Sequence, residues 1–171
     1  MRHPRPLSLI GFPGSGKSTV GVLLAKRLGI SFVGTDILIQ TQEQATLAEI
    51  IARRDHHLLR EIEEQVLLDI AIKDSVISTG GSVVYSDRIM ERLSRDTLVI
   101  YLRAQLSTVE YRISLAPDRG IASAKDQTLA DIFNERIPLY QRWAQLSLDV
   151  DTDPPETLVD TLIKQLDAQL P

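Results

Sequence analysis

Leu7-Ser8-Leu9-Ile10-Gly11-Phe12-Pro13-Gly14-Ser15-Gly16-Lys17-Ser18 decides the fold. Its first four residues form a short apolar run without alternation, the pattern of a strand buried on both faces. The next eight satisfy G-x-x-x-x-G-K-[ST], and an amphipathic stretch with Val20, Leu23, Leu24 and Leu28 at helical spacing follows. Glycine lets the backbone curl into positive φ. The curl turns successive N–H groups inward as a nest for phosphate oxygens, and the positive end of the helix behind it reinforces the nest. In this arrangement Gly14, Ser15, Gly16, Lys17, Ser18 and Thr19 surround a nucleotide's phosphates. Lys17 reaches the β- and γ-phosphates and the Ser18 hydroxyl ligates Mg²⁺.

Outward from this stretch, short apolar runs alternate with helical patterns. Gly29 is a helix stop, and Ser31-Phe32-Val33 is a strand ending in Gly34-Thr35-Asp36. A short helix is predicted over 46–51 and a longer one over 57–73, with Leu59, Ile62, Val66 and Ile70 on one face. Ser75-Val76-Ile77-Ser78 is a strand cut off by Thr79-Gly80-Gly81-Ser82. Helices near 86–93, 107–113 and 128–144, strands at 97–102 and 146–150, and a closing helix from Pro154 complete the pattern. Strands alternating with helices imply a parallel α/β sheet covered on both faces. Residues 114–127 are rich in Ala, Ser, Asp and Gly without apolar periodicity, and are expected to form a mobile lid over the nucleotide in one domain spanning 1–171.

Composition narrows the chemistry. A net charge of −4 argues against general nucleic-acid binding, which needs a basic face. The chain has no cysteine, so disulfides, thiolate metal sites and a Cys nucleophile are excluded. No apolar run approaches the roughly 20 residues of a membrane helix, and the run behind Met1-Arg2-His3-Pro4-Arg5-Pro6 is too short for a signal peptide. The expectation is a soluble cytoplasmic protein with a small-molecule substrate and no nucleic-acid or membrane partner. Neither Val76-Ile77-Ser78 nor Leu98-Val99-Ile100 ends in the acid that motor-type ATPases use on Mg²⁺ and water, and no Asn-Lys-x-Asp guanine reader occurs. The acid nearest a strand end is Asp36, placed to face an acceptor hydroxyl beside the γ-phosphate, as in small kinases.

Further residues carry a more specific likeness: Leu59-Arg60-x-x-Glu63, Ser78-Thr79-Gly80-Gly81, and Glu135-Arg136-Ile137-Pro138-Leu139-Tyr140. With the phosphate loop and Asp36, the chain resembles the shikimate kinase family nearly end to end. The resemblance implies a three-layer fold whose five-stranded parallel sheet has the order 2-3-1-4-5, a monomer, ATP and Mg²⁺, and transfer to a shikimate hydroxyl in aromatic amino-acid biosynthesis. It makes Asp36 the acceptor-hydroxyl ligand and base, and gives Arg60 and Arg136, with Gly80 and Gly81, the acceptor's carboxylate. It makes Arg119 the lid cation on the phosphates and lays Arg112 against adenine. Catalysis then falls to Lys17, Asp36 and Arg119. A planar guanidinium grips a carboxylate bidentately, so the two arginines suit a small anionic acid.

The acceptor half departs from the family pattern. Its Asp-x-Asp reads Gly34-Thr35-Asp36, its Gly-Glu reads Asp55-His56, its Phe is Leu59, its third glycine is Ser82, and its lid Arg-Pro is Arg119-Gly120. These changes leave open a related kinase for another hydroxy acid or amino acid, such as gluconate or homoserine, or an ATP-binding pseudo-enzyme. Plainer readings stand beside the specific ones. Arg60 pairs with Glu63 and Glu64 on a helix surface, Gly80-Gly81 is a simple turn, Arg136 is an ordinary helix charge, Arg119 is an exposed loop residue, and Asp36 is an N-cap.

Overall fold

The computed structural model describes residues 5–53, 56–115, 121 and 126–168. Five parallel strands form one sheet: β1 (Leu7–Ile10), β2 (Ser31–Gly34), β3 (Ser75–Ser78), β4 (Leu98–Arg103) and β5 (Leu146–Asp149). Their order is β2-β3-β1-β4-β5, the order implied by the resemblance. Leu7, Ser8, Leu9 and Ile10 are all 0% exposed. Because side chains alternate between faces, a strand buried at every position must be covered on both. The cover comes from α1 (Lys17–Leu28), which packs on β2 and β3 and against α8 (Pro155–Ala168), and from α5 (Asp87–Asp96) and α7 (Leu129–Trp143), which pack on β4. Inside this core Ser8 Oγ and Thr97 Oγ1 share a 2.7 Å hydrogen bond.

A second apolar cluster of Ile39, Ala45, Ile50, Leu59 and Val66 binds α2 (Thr35–Glu43), α3 (Leu47–Arg53) and α4 (His56–Asp69) into a unit beside β2. The remaining helix is α6 (Leu106–Ser114). Helix ends follow local chemistry. Gly29 closes α1 in the left-handed region, Ser86 caps α5 by accepting from Ile89 N, and Thr128 with Asp131 forms a capping box on α7.

Three local expectations are corrected. Helix α2 was implied only by the reading of Asp36 as an N-cap and had no predicted bounds, because Ile37 and Leu38 are solvent-exposed and only Thr35 and Ile39 are buried, which leaves no apolar stripe to read. Asp36 therefore lies in the first turn of a helix whose cap is Gly34, and is not itself the N-cap. Helix α4 ends at Asp69, short of Lys73, and a single 3-10 turn at Val83–Tyr85 follows the glycine pair.

Candidate active site

The phosphate cradle is built by backbone. Gly14 and Gly16 take φ of 87° and 91°, values from which a side chain is largely barred, and Ser15 N donates to Phe12 O at 3.0 Å to close the loop. Helix α1 then begins at Lys17, with Val20 N donating to Gly16 O. Lys17 is buried and folds back over the loop, its Nζ donating to the carbonyls of Gly11 at 2.8 Å and Phe12 at 3.0 Å. Ser15 Oγ is buried without a hydrogen-bond partner among the described residues. Ser18 and Thr19 stand exposed on the first turn, and Ser18 Oγ shares a 3.3 Å hydrogen bond with Ser78 Oγ. Arg112, on α6, donates to Gly14 O at 3.3 Å and to Val150 O at 2.7 Å, so it bridges the cradle and the segment after β5.

One cavity joins Gly16, Lys17 and Ser18 of this cradle to Asp36, Gly81 and Arg136. The order of the sheet explains the meeting. β1 and β3 are neighbours, so the loops leaving their C-terminal ends lie side by side, and Thr79 fixes them by donating from both N and Oγ1 to Leu9 O. Asp36 arrives from the end of β2 on α2, where Thr35 Oγ1 donates to Ser78 O. Arg136 comes across from α7. It is 1% exposed and donates from Nε to Tyr85 Oη at 3.3 Å. Tyr140, one helical turn on, donates its hydroxyl to Gly81 O.

Arg60 takes a different place. It lines an adjoining cavity of about 190 Å³ with Glu63, Ser82 and Tyr85, and its guanidinium lies 4.0 Å above the Tyr85 ring. Arg136 approaches the same ring at 5.3 Å, so both cations share one aromatic platform. Burial holds the Arg60 pKa below its ordinary value, and the charge of Arg136 pushes in the same direction.

Glu63 stands in the Arg-x-x-Glu motif but was given no role in the site from the sequence. It sits on the inward face of α4 between Leu59 and Leu67, 4% exposed, and not among surface ion pairs. Its Oε2 accepts from Ser82 Oγ at 2.5 Å, while Oε1 is buried without a hydrogen-bond partner among the described residues. Burial pushes its pKa up to about 7, and the Asp36 charge adds to this. The Ser82 hydrogen bond and the charges of Arg136 and Lys17 pull it down. Gly80 owes its identity to this carboxyl, since a Cβ there would lie 1.8 Å from Glu63 Oε1. An acid at the centre of an otherwise apolar helix face was the signal available in the sequence. Leu47 and Ile121 also line the main cavity, and no motif marked them. Arg119 and most of the expected lid lie outside the described residues.

Residues 13–167 match the shikimate kinase family. The chain belongs to the shikimate kinase family. It is 33% identical over 160 residues to shikimate kinase from Thermodesulfovibrio yellowstonii, covering 92% of each chain. With shikimate kinase from Mycobacterium ulcerans it shares 34% identity, covering 95% of this chain and 90% of the other. Shikimate kinase from Acinetobacter baumannii in complex with shikimate superposes with a TM-score of 0.91 at 26% identity, covering 99% of this chain and 97% of that one. The chain is thus of a family of ATP-using phosphotransferases with an alcohol acceptor.

The structure accommodates the departures at three described positions. Gly34 has φ −97° and ψ 110°, extended backbone open to any residue, so a side chain is missing there without a conformational reason. Leu59 is buried in the second apolar cluster. Ser82, with φ −90° and ψ −3°, needs no glycine, and its hydroxyl is spent on Glu63.

Proposed function

We propose that the protein transfers the γ-phosphoryl group of ATP to a hydroxyl of shikimate, giving shikimate 3-phosphate and ADP. The observation that carries this reading is the single cavity in which a phosphate cradle, an aspartate and a buried arginine converge. The acceptor's carboxylate is gripped by Arg136 from α7 and drawn toward Arg60, while the N–H groups at Gly80 and Gly81 lie at the rim of the same loop. Asp36 orients the acceptor hydroxyl and takes its proton as the new O–P bond forms and the bond to the ADP oxygen breaks. Phosphoryl transfer asks little more of a protein than in-line alignment and positive charge on the equatorial oxygens. Lys17 exchanges the carbonyls of Gly11 and Phe12 for phosphate oxygens, and Ser15 Oγ gains the partner it otherwise lacks. Arg112 places the adenine against α6.

Mg²⁺ fits the donor set. Ser18 Oγ, exposed beside the cradle, would hold it together with phosphate oxygens and water, the few-ligand shell this small hard cation favours. Among the described residues no cluster of three or more acidic or imidazole groups competes for that role. When bound, the ion supplies charge neutralisation on the β- and γ-phosphates. The proposed oligomeric state is the monomer that the resemblance implies. No described helix is long and apolar enough to cross a membrane, and the proposed setting is the cytoplasm. ADP release measured with and without shikimate tests the reading: stimulation by shikimate supports it, and unstimulated turnover at millimolar shikimate overturns it.

A further inference from the structure

Tyr85 is the last residue of the 3-10 turn behind the glycine pair, and no sequence motif marks it. The turn is firmly held. Tyr85 N donates to Ser82 O and Ser86 N to Val83 O, both at 3.1 Å, and Val83 and Val84 are buried. The turn packs against both α4 and α7, the helices that carry Arg60 and Arg136. Half-buried between them, Tyr85 meets each cation in a different way. The Arg60 guanidinium lies 4.0 Å from the centre of its ring, and that of Arg136 lies 5.3 Å from it. The hydroxyl accepts from Arg136 Nε at 3.3 Å and donates to Glu135, the preceding residue of α7. Glu135 also accepts from Gln127 at 3.0 Å, which fixes the far end of the chain of hydrogen bonds.

Two guanidiniums that serve one anion repel each other until it binds. The face of an aromatic ring is negative and attracts both, yet it brings no formal charge to compete with a carboxylate. The hydroxyl adds direction. A guanidinium has its five N–H donors in a rigid fork, so committing Nε to Tyr85 leaves the Nη atoms to grip a carboxylate end-on. Arg136 Nη1 lies 3.2 Å from where a Cβ on Gly81 would stand, and both residues line the main cavity. Burial and the Glu135 hydrogen bond raise the Tyr85 pKa above its ordinary value, so the phenol keeps the proton it donates.

We infer that Tyr85 is a positioning residue for the acceptor's carboxylate: its ring holds Arg60 in place, and its hydroxyl holds Arg136 by Nε with the Nη atoms left for the acceptor. The inference rests on the proposed acceptor chemistry. The carboxylate stands away from the reacting hydroxyl and is gripped alike before and during transfer. Tyr85 therefore governs acceptor KM and leaves kcat nearly untouched. ATP is held by the cradle, which Tyr85 does not touch.

Steady-state kinetics of the full-length protein with ATP and shikimate test this, using Tyr85→Phe and Tyr85→Leu alone and combined with Arg60→Ala. Tyr85→Phe keeps the ring but frees Arg136 Nε, and is expected to raise acceptor KM about threefold. Tyr85→Leu loses both contacts and is expected to raise it about fifteenfold. In both variants kcat and the KM for ATP should stay within about twofold of wild type. The step between the two variants isolates the ring. Read as kcat/KM, it should shrink from about fivefold to less than about twofold once Arg60→Ala removes the cation that the ring holds. An unmoved acceptor KM in Tyr85→Leu, losses that fall on kcat or on ATP as heavily as on the acceptor, or a ring step that persists without Arg60 each overturn the inference and leave the kinase reading intact. ATP affinity identifies variants that have folded. If Tyr85→Leu has not, Tyr85→Phe decides, and an acceptor KM equal to wild type overturns the inference. Wild-type turnover that shikimate fails to stimulate sinks the acceptor reading itself.

Discussion

The phosphate cradle and the acceptor pocket share one cavity but are made in opposite ways. The cradle is contiguous, twelve residues with β1 included, and its function lies in backbone shape: three glycines at positive φ, a turn, and a helix start. The acceptor pocket gathers α2, α4, the glycine turn and α7, and its function lies in buried side-chain charge. Backbone shape tolerates little change, because the residue that permits a conformation is the residue that must be there. A charge network can be re-tuned, since a neighbour's hydrogen bond can offset a substitution. The departures from the family pattern follow that division. The motif positions of the loop are kept, whereas Gly34, Leu59 and Ser82 fall on the acceptor side.

The strongest way to test this contrast is to remove the cradle's one essential side chain. Lys17→Ala should lower phosphoryl transfer by roughly a thousandfold, the upper range for losing one preorganised charge donor to a developing anion. Coupled-assay turnover measures it, and a variant retaining a tenth of wild-type activity would show that the loop backbone suffices.

The acceptor side should respond through protonation. Glu63 binds protons more readily folded than unfolded, its pKa rising from 4.5 to about 7. Its favourable contribution is thus complete below about pH 4.5 and is lost as pH climbs toward 7. The difference amounts to about 3 kcal/mol, which urea unfolding at pH 5 and pH 8 can resolve. Glu63→Gln should be more stable than wild type at pH 8 and lose this pH dependence, a pattern typical of a group kept for function at a cost in stability.

Arg136→Ala should divide the two halves kinetically. The acceptor KM should rise about a hundredfold, in the range for truncating one partner of a buried charge pair, with the KM for ATP nearly unchanged. Arg60→Ala should cost less, because Arg60 stands in the adjoining cavity and is only half-buried. Equal losses would mean that the two guanidiniums grip the acceptor alike.

How much of this was legible in the sequence follows the same division. Strands β1, β3 and β4 are unbroken apolar runs because they are buried on both faces, and the cradle is a local motif. The extent of helix α2 was illegible because its apolar side chains are partly solvent-exposed, so tertiary contacts and not periodicity hold it. Asp36 was read from its place behind the second strand, whereas Gly80, Gly81 and Arg136 were found through the resemblance, since nothing local says that segments one hundred residues apart in the chain share a cavity. Glu63 was visible but misjudged. Read as one half of Arg-x-x-Glu it looks like a surface ion pair, and only its position between Leu59 and Leu67 reveals burial.

The smallest expected effect lies at the boundary between the halves. Gly34 precedes α2 at the end of β2, next to the turn that delivers Asp36. Its extended backbone admits any residue, and a Cβ there would meet only the flexible tip of Ile37 at 3.3 Å and the edge of Phe32 at 3.3 Å. Gly34→Asp should therefore fold with Ile37 and Phe32 giving way by a few tenths of an ångström, and put a carboxylate where the family pattern has one. A carboxylate acting on a cation through intervening water is worth about 1 kcal/mol, so the Mg²⁺ concentration for half-maximal activity should fall roughly fivefold. Because the substitution leaves Glu63, Ser82 and both arginines untouched, the acceptor KM should stay within about twofold of wild type. Mg²⁺ titration at saturating shikimate reads the first quantity, and shikimate titration at saturating Mg²⁺ the second. A change in acceptor affinity without a change in Mg²⁺ requirement would place residue 34 in the charge network and move the boundary between the two regions to the loop side of β2.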